Sequence, residues 1–446
     1  GSRFCNLYYL IKEISMSKEE NRKNFSKYVS QNILGMIGFS CYVLADSYFI
    51  SIAKGADGLT ALNLVMPLYS IIFSIGEMIG VGSAIRYAIS KIKKDADADD
   101  YFWNALIWCI LSSMLFVFAG IFFSADIMRV LGADEHIVAV GNNYTKIFMC
   151  FAPMFMCNYV TNAFVRNDGA PGIAMSATLF SSLFNIVFDY ILMFPMNLGM
   201  EGAALATALS PIIGMGICSI HFFSKKSSVR LVVCKPSVRK LVAGSQLGVS
   251  AFVGEMSSAV ITLAFNFVIL KLTGNVGVAA YGVVANIAIV TTAVFNGVAQ
   301  GSQPLISSCF GRGDKDGCTQ LKRMGYTTAF VLAAVMYSIL FIFAEQFVAV
   351  FNSEGSEMLR LYATEGVKLY FIGIFFAGIN IVGGGAFSAT EDAFKAAVVS
   401  VARGFVLILG AVFVMSAFFG MTGVWLAYAV AEGITTFIML VMAMRV

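Results

Sequence analysis

The chain has 446 residues, of which 59% are hydrophobic and 13% charged, with a net charge of +4 and a mean hydropathy of +0.81. A water-soluble protein of this size needs a larger charged fraction, so the composition excludes an ordinary soluble protein. The basic residues form short clusters between apolar runs, a pattern typical of membrane orientation. We expect an integral membrane protein that contacts membrane lipids and binds no nucleic acid.

The apolar runs predict twelve transmembrane helices, since each crossing needs about 20 apolar residues. A polar, basic linker over 224–240 divides them six and six. The predicted domains are a cytoplasmic N-terminal segment (1–28), a first lobe (29–223), the linker and a second lobe (241–446). The predicted spans are 29–52, 60–85, 102–125, 137–162, 171–194, 201–223, 244–270, 278–309, 326–350, 361–388, 395–418 and 422–444.

The distribution of positive charge predicts which ends face the cytoplasm. With both termini inside, 23 of the 30 basic residues fall on the inner side, 6 outside and one, Arg403, within a span. This agrees with the positive-inside rule. Arg166 is counted among the inner residues.

Two pairs of similar segments indicate an internal duplication. Gly80 in IGVGSAIRYAISK corresponds to Gly301 in QGSQPLISSCFGR, and Gly199 in NLGMEGAALA to Gly420 in FFGMTGVWLA. Both pairs are 221 residues apart. Because each half has an even number of spans, the two six-helix bundles should be related by a pseudo-two-fold axis along the membrane normal. This is an architecture typical of transporters.

The segment 181–210 contains the most unusual intramembrane group. Asp189 lies within an apolar helix, Asn185 one helical turn before it, and a turn around 195–202 leads to a second helix containing Thr207. Carboxylates at that depth are costly and mark ion or substrate pathways by default. The alternative is a hydrogen-bonded bridge between neighbouring helices. An oxygen-rich group of this kind suits a proton or Na⁺.

In these segments the sequence resembles the multidrug and toxic compound extrusion (MATE) family, in a bacterial branch. The resemblance extends from about Asn24 to the end of the chain. It implies a V-shaped pair of six-helix bundles that export amphipathic, often cationic, compounds by H⁺ or Na⁺ influx. The matching pieces are YVLADSYFIS (42–51), GVGSAIRYAISK (80–91), RNDGAPGIAM (166–175), NIVFDYILMFPMNLGMEGAALAT (185–207) and GVAQGSQPLISSCFGRGD (297–314).

The resemblance assigns the cation-coupling residues. Asp46 matches the family's first-helix aspartate, and Asn185, Asp189 and Thr207 match the amide, carboxylate and hydroxyl of the fifth and sixth helices. The offset of 221 takes Asp189 to a glycine, so coupling is expected in the first lobe. Two buried carboxylates close together cannot both ionise cheaply, which suits exchange of a cation against a cationic substrate.

Other polar residues within predicted spans are candidates for substrate binding. Glu255 matches a glutamate that another branch uses in its second lobe, although a solvated helix end would explain it equally well. Asn158 and Asn286, with Asn162 and Gln303, could line the chamber or bond to neighbouring helices. The glycines around Glu77 favour tight helix packing over a role in transport. Arg403 and Glu432 are expected to form a structural ion pair.

The fold prediction is all-α and integral to the membrane, with twelve helices in two pseudo-symmetric six-helix bundles. The predicted protein is not an enzyme and uses no cofactor beyond H⁺ or Na⁺, with no metal other than a possible Na⁺ at the coupling residues. Its nine cysteines and two histidines lack metal-site spacing. The expected location is the bacterial inner membrane, and one chain should suffice for transport.

Three other functions remain open. A lipid-linked oligosaccharide flippase of the same superfamily would share the helices, but it should have a strongly basic cavity. An intramembrane enzyme would need a catalytic pair, for which only Asp46 and Asp189 are candidates. A channel would not need the duplicated plan.

Overall fold

The computed structural model describes residues 2–352 and 355–444, with side chains from residue 18 onwards except at positions 56 and 444. The first and last residues of the predicted domains, 1 and 445–446, lie outside this part. The α-helices are α1 (Ser2–Lys93), α2 (Asp100–Val130), α3 (Glu135–Cys150), α4 (Ala152–Asn167), α5 (Pro171–Met193), α6 (Met200–Phe222), α7 (Val238–Gly311), α8 (Lys315–Ile342), α9 (Ala344–Phe351), α10 (Glu357–Tyr370), α11 (Ile374–Ala389), α12 (Ala393–Val401) and α13 (Leu407–Met444).

Within the described residues, nine helical stretches are long and apolar enough to cross a membrane, or ten if the bent pair α3–α4 is one span. Two of these stretches, Val238–Gly311 and Ala393–Ala443, have 74 and 51 residues. At 1.5 Å per residue, each is long enough to cross a hydrocarbon core of about 30 Å twice. Counting both as double crossings gives the predicted twelve transmembrane helices.

Glycines mark the points at which the long helices turn back. Gly55 in α1, Gly274 in α7 and Gly420 in α13 have φ of 58°, 68° and 57° with strongly negative ψ. This region is essentially reserved for glycine, because a Cβ would clash with the backbone. The predicted gaps at 53–59, 271–277 and 419–421 are therefore turns between antiparallel helices.

Two of the predicted spans differ from the helices of the structure. The span 137–162 is two helices, α3 and α4, which meet at 46°. Pro153 lies at the start of α4, and a proline ring there removes a backbone donor and prevents the helix from continuing straight. The span 326–350 begins earlier, at Lys315, because the Asp314 side chain accepts a hydrogen bond from Gly317 N. It ends at Ile342, before the short helix α9.

The buried apolar side chains form separate clusters in the two halves of the chain. Three clusters of buried apolar side chains lie almost entirely within α1–α6, and two within α7–α13. We call α1–α6 the first half and α7–α13 the second half. The larger of the two second-half clusters also includes two residues of the first half, Phe25 and Val29. Both lie at the start of the first crossing. Each half therefore has an interior of its own.

The halves touch closely at one end of the molecule, which we call the linker end because the segment 224–237 lies there. A Cβ on Gly301 would lie 2.7 Å from the Cα of Val29, and one on Gly82 would overlap the backbone of Gly244. Because glycine has no side chain, the backbones of opposite halves come into direct contact at these positions. An ion pair between Arg86 and Glu391 adds to this contact.

Candidate functional site

The structure brings Asn185, Asp189 and Thr207 together inside the first half. All three are buried, with exposed fractions of 0%, 0% and 2%. In the amide orientation that satisfies every neighbour, Asn185 Nδ2 donates to Asp189 Oδ2 at 3.0 Å. Its Oδ1 accepts from Thr207 Oγ1 at 3.1 Å. The antiparallel packing of α5 and α6 across the turn at 194–199 explains this contact.

Asp46 belongs to the same region and is 7% exposed. Its carboxylate lies within Coulombic range of Asp189. One oxygen of each aspartate, Oδ1 in both, is buried without a hydrogen-bond partner among the described residues. An unsatisfied buried carboxylate oxygen is costly. A proton or a small cation bound at either oxygen would supply the missing partner.

A cavity of about 1490 Å³ lies between the two halves and includes Asp46 and Thr207 in its wall. Its other side is formed by the second half, with Glu255 and Arg403 among the charged residues. Five tyrosines contribute to the wall, and two of them, Tyr370 and Tyr428, stack with their ring centroids 4.4 Å apart. Aromatic faces of this kind attract organic cations. The tyrosines in the wall are Tyr42, Tyr69, Tyr281, Tyr370 and Tyr428.

Two smaller cavities adjoin the large one toward the linker end. The first, about 980 Å³, lies mainly within the first half, and the second, about 600 Å³, mainly within the second half. Glu255 borders all three cavities. Its side chain therefore faces the interior, and its role in substrate binding stays a prediction.

The asparagines predicted to bind substrate have different surroundings. Asn158 borders the 980 Å³ cavity. Asn286 is half-buried and is not in the wall of any of these three cavities. Asn296 lies in the walls of two of them. The sequence offered no signal for preferring Asn296, because both positions lie in the same apolar helix.

Arg403 and Glu432 form the predicted ion pair, with a separation of 2.8 Å. Arg403 lies in a short π-helical turn, Ala402–Val406, and borders two of the cavities. Arg166 differs from the prediction. The charge pattern predicts an inner flanking residue, but Arg166 is only 5% exposed and donates to Asn32 at 3.1 Å. Burial of its guanidinium required partners on other helices, which the linear charge pattern does not reveal.

The arrangement can bind a small cation within the first half and hold an amphipathic molecule between the halves. No group of three or more His, Cys, Asp or Glu side chains that could hold a metal ion occurs among the described residues. The two aspartates, the amide and the hydroxyl are the oxygen donors available for Na⁺.

Comparison with known proteins identifies the family. The MatE family model matches the chain twice, over residues 32–191 and 251–414. The two matches start 219 residues apart and end 223 residues apart. They bracket the offset of 221 found within the sequence and confirm the duplication.

Related proteins cover nearly the whole chain. The Multidrug export protein MepA of Staphylococcus aureus (strain MRSA252) is 27% identical over 414 residues, spanning 90% of this chain and 89% of that protein. The protein of the same name from Staphylococcus saprophyticus is 26% identical over 409 residues, with the same coverage. The similarity therefore extends over parts of both halves of this chain.

Solved structures show the same fold at about 20% identity. A multidrug resistance MATE family transporter of the MOP superfamily in an outward-facing conformation has a TM-score of 0.89, covering 95% of this chain and 96% of that one. A MOP superfamily transporter from Pyrococcus furiosus, for which reverse polarity of the binding pocket suggests a different function, has a TM-score of 0.88 with the same coverage. The architecture is thus the V-shaped pair of six-helix bundles, and the chain belongs to the MatE family of membrane transporters.

Proposed function

We propose that this protein is a cation-coupled multidrug exporter, which moves amphipathic, mostly cationic compounds out of the cell by alternating access. The main support is the pair of buried carboxylate oxygens, Asp46 Oδ1 and Asp189 Oδ1, which lack partners among the described residues. Asp46 also borders the cavity between the halves. A coupling ion and a substrate can therefore compete for the same carboxylate.

The exchange follows from electrostatics. With no cation, two ionised aspartates in a region of low dielectric constant repel each other, and one proton or one Na⁺ relieves that repulsion. A cationic substrate near Asp46 reduces the affinity for the coupling ion, and by linkage the ion reduces the affinity for the substrate. This reciprocal competition couples influx of the ion to export of the compound.

The location we propose is the bacterial inner membrane, with the linker end and both termini in the cytoplasm. The distribution of Lys and Arg supports this orientation. At the linker end, Lys91 pairs with Asp99 and Lys240 with Asp100, which places fixed charges where water is expected. The partners we propose are lipids and small molecules, and one chain contains both halves of the cavity.

A flippase for lipid-linked oligosaccharides fits the charges less well. Such a protein should hold a pyrophosphate group with free basic residues. The two arginines that border the cavities are both engaged: Arg403 with Glu432 at 2.8 Å, and Arg166 with Gln300 at 2.5 Å. Glu77, Glu255 and Asp46 border the same cavities, so anionic substrates meet acidic walls.

Transport in liposomes tests the proposal. Purified protein would be reconstituted with either a pH gradient or a Na⁺ gradient, and efflux of an ethidium-type dye followed for wild type, Asp46→Asn and Asp189→Asn. We expect one gradient alone to drive efflux and both substitutions to abolish it. Asp126→Asn is a matched control, because Asp126 is 63% exposed and paired with Arg129 at the surface. Movement of lipid-linked sugar without dye efflux would favour the flippase instead.

Thr207→Val separates the two candidate ions. A proton needs only a carboxylate, whereas Na⁺ is coordinated by several oxygens. If Na⁺ is the coupling ion, the loss of one hydroxyl should raise the Na⁺ concentration needed for half-maximal transport. A proton-coupled protein should keep its pH dependence in the same variant.

A further inference from the structure

Gln300 of α7 connects the two halves through a chain of buried polar groups. Its Oε1 accepts from Arg166 Nη1 at 2.5 Å, and its Nε2 donates to Glu77 Oε1 at 3.2 Å. Both partners belong to the first half and are 5% and 8% exposed. Arg166 Nη1 also donates to Asn32 at 3.1 Å, so the guanidinium is held from two sides.

This chain of bonds lies where the halves come into backbone contact. Gly297 and Gly301, on either side of Gln300 in the same helix, pack directly on the first crossing of α1. A Cβ at Gly297 would lie 2.6 Å from the Cα of Ile33. Gln300 therefore reaches Arg166 and Glu77 only while the linker end is closed.

The chemistry requires an amide at this position. An amide offers one acceptor to a cation and one donor to a carboxylate at the same time. A carboxylate at position 300 would repel Glu77, and an ammonium would repel Arg166. Hydrogen bonds to charged groups are stronger than neutral ones. Two of them at one side chain therefore favour the closed linker end appreciably.

Arg166 and Glu77 also have an arrangement available when Gln300 leaves. They border the same 980 Å³ cavity, and they bond to the two ends of one amide, so the two charged groups lie close together. Arg166 Nε has no hydrogen-bond partner among the described residues. Separation of the halves would let Arg166 pair directly with Glu77 inside the first half, so the exchange leaves no buried charge without a partner.

We propose that Gln300 is an exchangeable latch: it ties Arg166 and Glu77 to the second half in the closed linker end, and the two charges pair with each other when that end opens. A transporter needs two arrangements of similar free energy to alternate quickly. The latch supplies these two arrangements. In one, Gln300 bonds to Arg166 and Glu77 across the halves, and in the other Arg166 and Glu77 pair within the first half. The inference presupposes the alternating access proposed above, but its test does not depend on transport.

Spin-label distances measure the latch directly. Labels would be placed in a cysteine-free background at positions 226 and 315, which are exposed. Position 226 moves with the first half, because the adjacent Ser227 and Ser228 bond to Asp168, and position 315 begins α8 in the second half. We expect the short, closed distance to predominate in the wild type, with the longer, open distance as a minor population. In Gln300→Leu, the fraction with the longer, open distance should rise on the order of tenfold.

Two further variants keep the test decisive. Gln300→Glu keeps a partner for Arg166 but opposes Glu77, so it should also increase the open fraction, and it serves if the leucine variant fails to fold. Gln303→Leu is the matched control for the distance, since Gln303 is on the same helix and its Oε1 has no partner among the described residues. Unchanged distance distributions in both Gln300 variants would overturn the latch, and so would an equal shift in the control.

The partners provide a second criterion. If Gln300 acts through Arg166 and Glu77, Gln300→Leu should add little to a variant that already carries Arg166→Met and Glu77→Leu. A full additional shift in that background would contradict the proposal, because the effect would then come from packing alone. Dye efflux that persists in Asp46→Asn and Asp189→Asn would overturn the proposed coupling site, whereas the distances in the Gln300 variants would still decide the latch.

Discussion

The guanidinium of Arg403 donates from Nη2 and Nε to one oxygen of Glu432, at 2.8 and 3.1 Å, in the interior of the second half. The other Glu432 oxygen accepts from Asn380 at 2.7 Å. The buried carboxylate is thus fully used. Arg403 and Asn380 stabilise this carboxylate, and Arg403 also contributes to the cavity wall.

Breaking this ion pair from one side should destabilise the protein strongly. Arg403→Met leaves Glu432 charged and buried, at a cost on the order of 3–5 kcal/mol. Adding Glu432→Gln removes that charge and keeps an acceptor for Asn380, so the double variant should be more stable than Arg403→Met alone. Unfolding temperatures in detergent would be compared for wild type, Arg403→Met and the double variant. A double variant no more stable than Arg403→Met would show that the unpaired charge of Glu432 is not the cause of the loss.

A methyl group at Gly82 should force the halves apart at the linker end. Its Cβ would overlap the carbonyl of Gly244, an atom of rigid helical backbone. Gly82→Ala should therefore populate the open linker end at the expense of the closed one, by an order of magnitude or more, in the spin-label experiment. Gly216→Ala is the control, because nothing lies within 4 Å of that position. Equal distance distributions for the two variants would show that the contact is not required.

The turn at Gly274 should be intolerant of any side chain, although space is available. Nothing lies within 4 Å of a Cβ there, but φ is +68°, where an alanine is strained by about 1–3 kcal/mol. Gly274→Ala should lower the unfolding temperature. Gly282→Ala, on the same helix with equal space and no positive φ, should be neutral or stabilising. A similar fall in both variants would show that the positive φ of Gly274 is not the cause.

The pairing of Asp97 with Lys240 should give a small, pH-dependent stabilisation. Lys240 lies 3.0 Å away, and its hydrogen bond and charge lower the pKa of Asp97 below its ordinary value of 3.8. A depressed carboxylate pKa stabilises the fold above the unfolded pKa, and that contribution is lost as the pH falls through the folded pKa.

Comparison of wild type with Asp97→Asn checks this effect. Because Asp97 is largely exposed, the difference at neutral pH should be only about 0.2–1 kcal/mol. It should vanish as the pH falls well below 4. A difference that is constant from pH 7 to pH 3 would show that the substitution acts through something other than the charge.

The coupling-site residues could be found from the sequence because their chemistry conflicts with their surroundings. Asp189 within an apolar helix, with Asn185 one turn away, violates the composition of a membrane span, and the short turn to α6 brings Thr207 back beside them. Local periodicity is enough for that contact, which the structure shows at 3.1 Å. The grouping of Asp46 with Asp189 involves two more distant crossings, and only the family resemblance predicted it.

The sequence by itself determined the crossings, the duplication and the acidic character of the first half, because hydrophobic length, repeat offset and residue type are properties of a linear chain. Only the tertiary structure decided which buried groups meet. Arg166 appeared as a flanking charge, and Gln300 was not distinguished, until the packing of α7 on α1 and α4 placed one amide between a guanidinium and a carboxylate. Such contacts depend on the rotation of helices about their axes and on the approach of the two halves, which hydropathy does not specify.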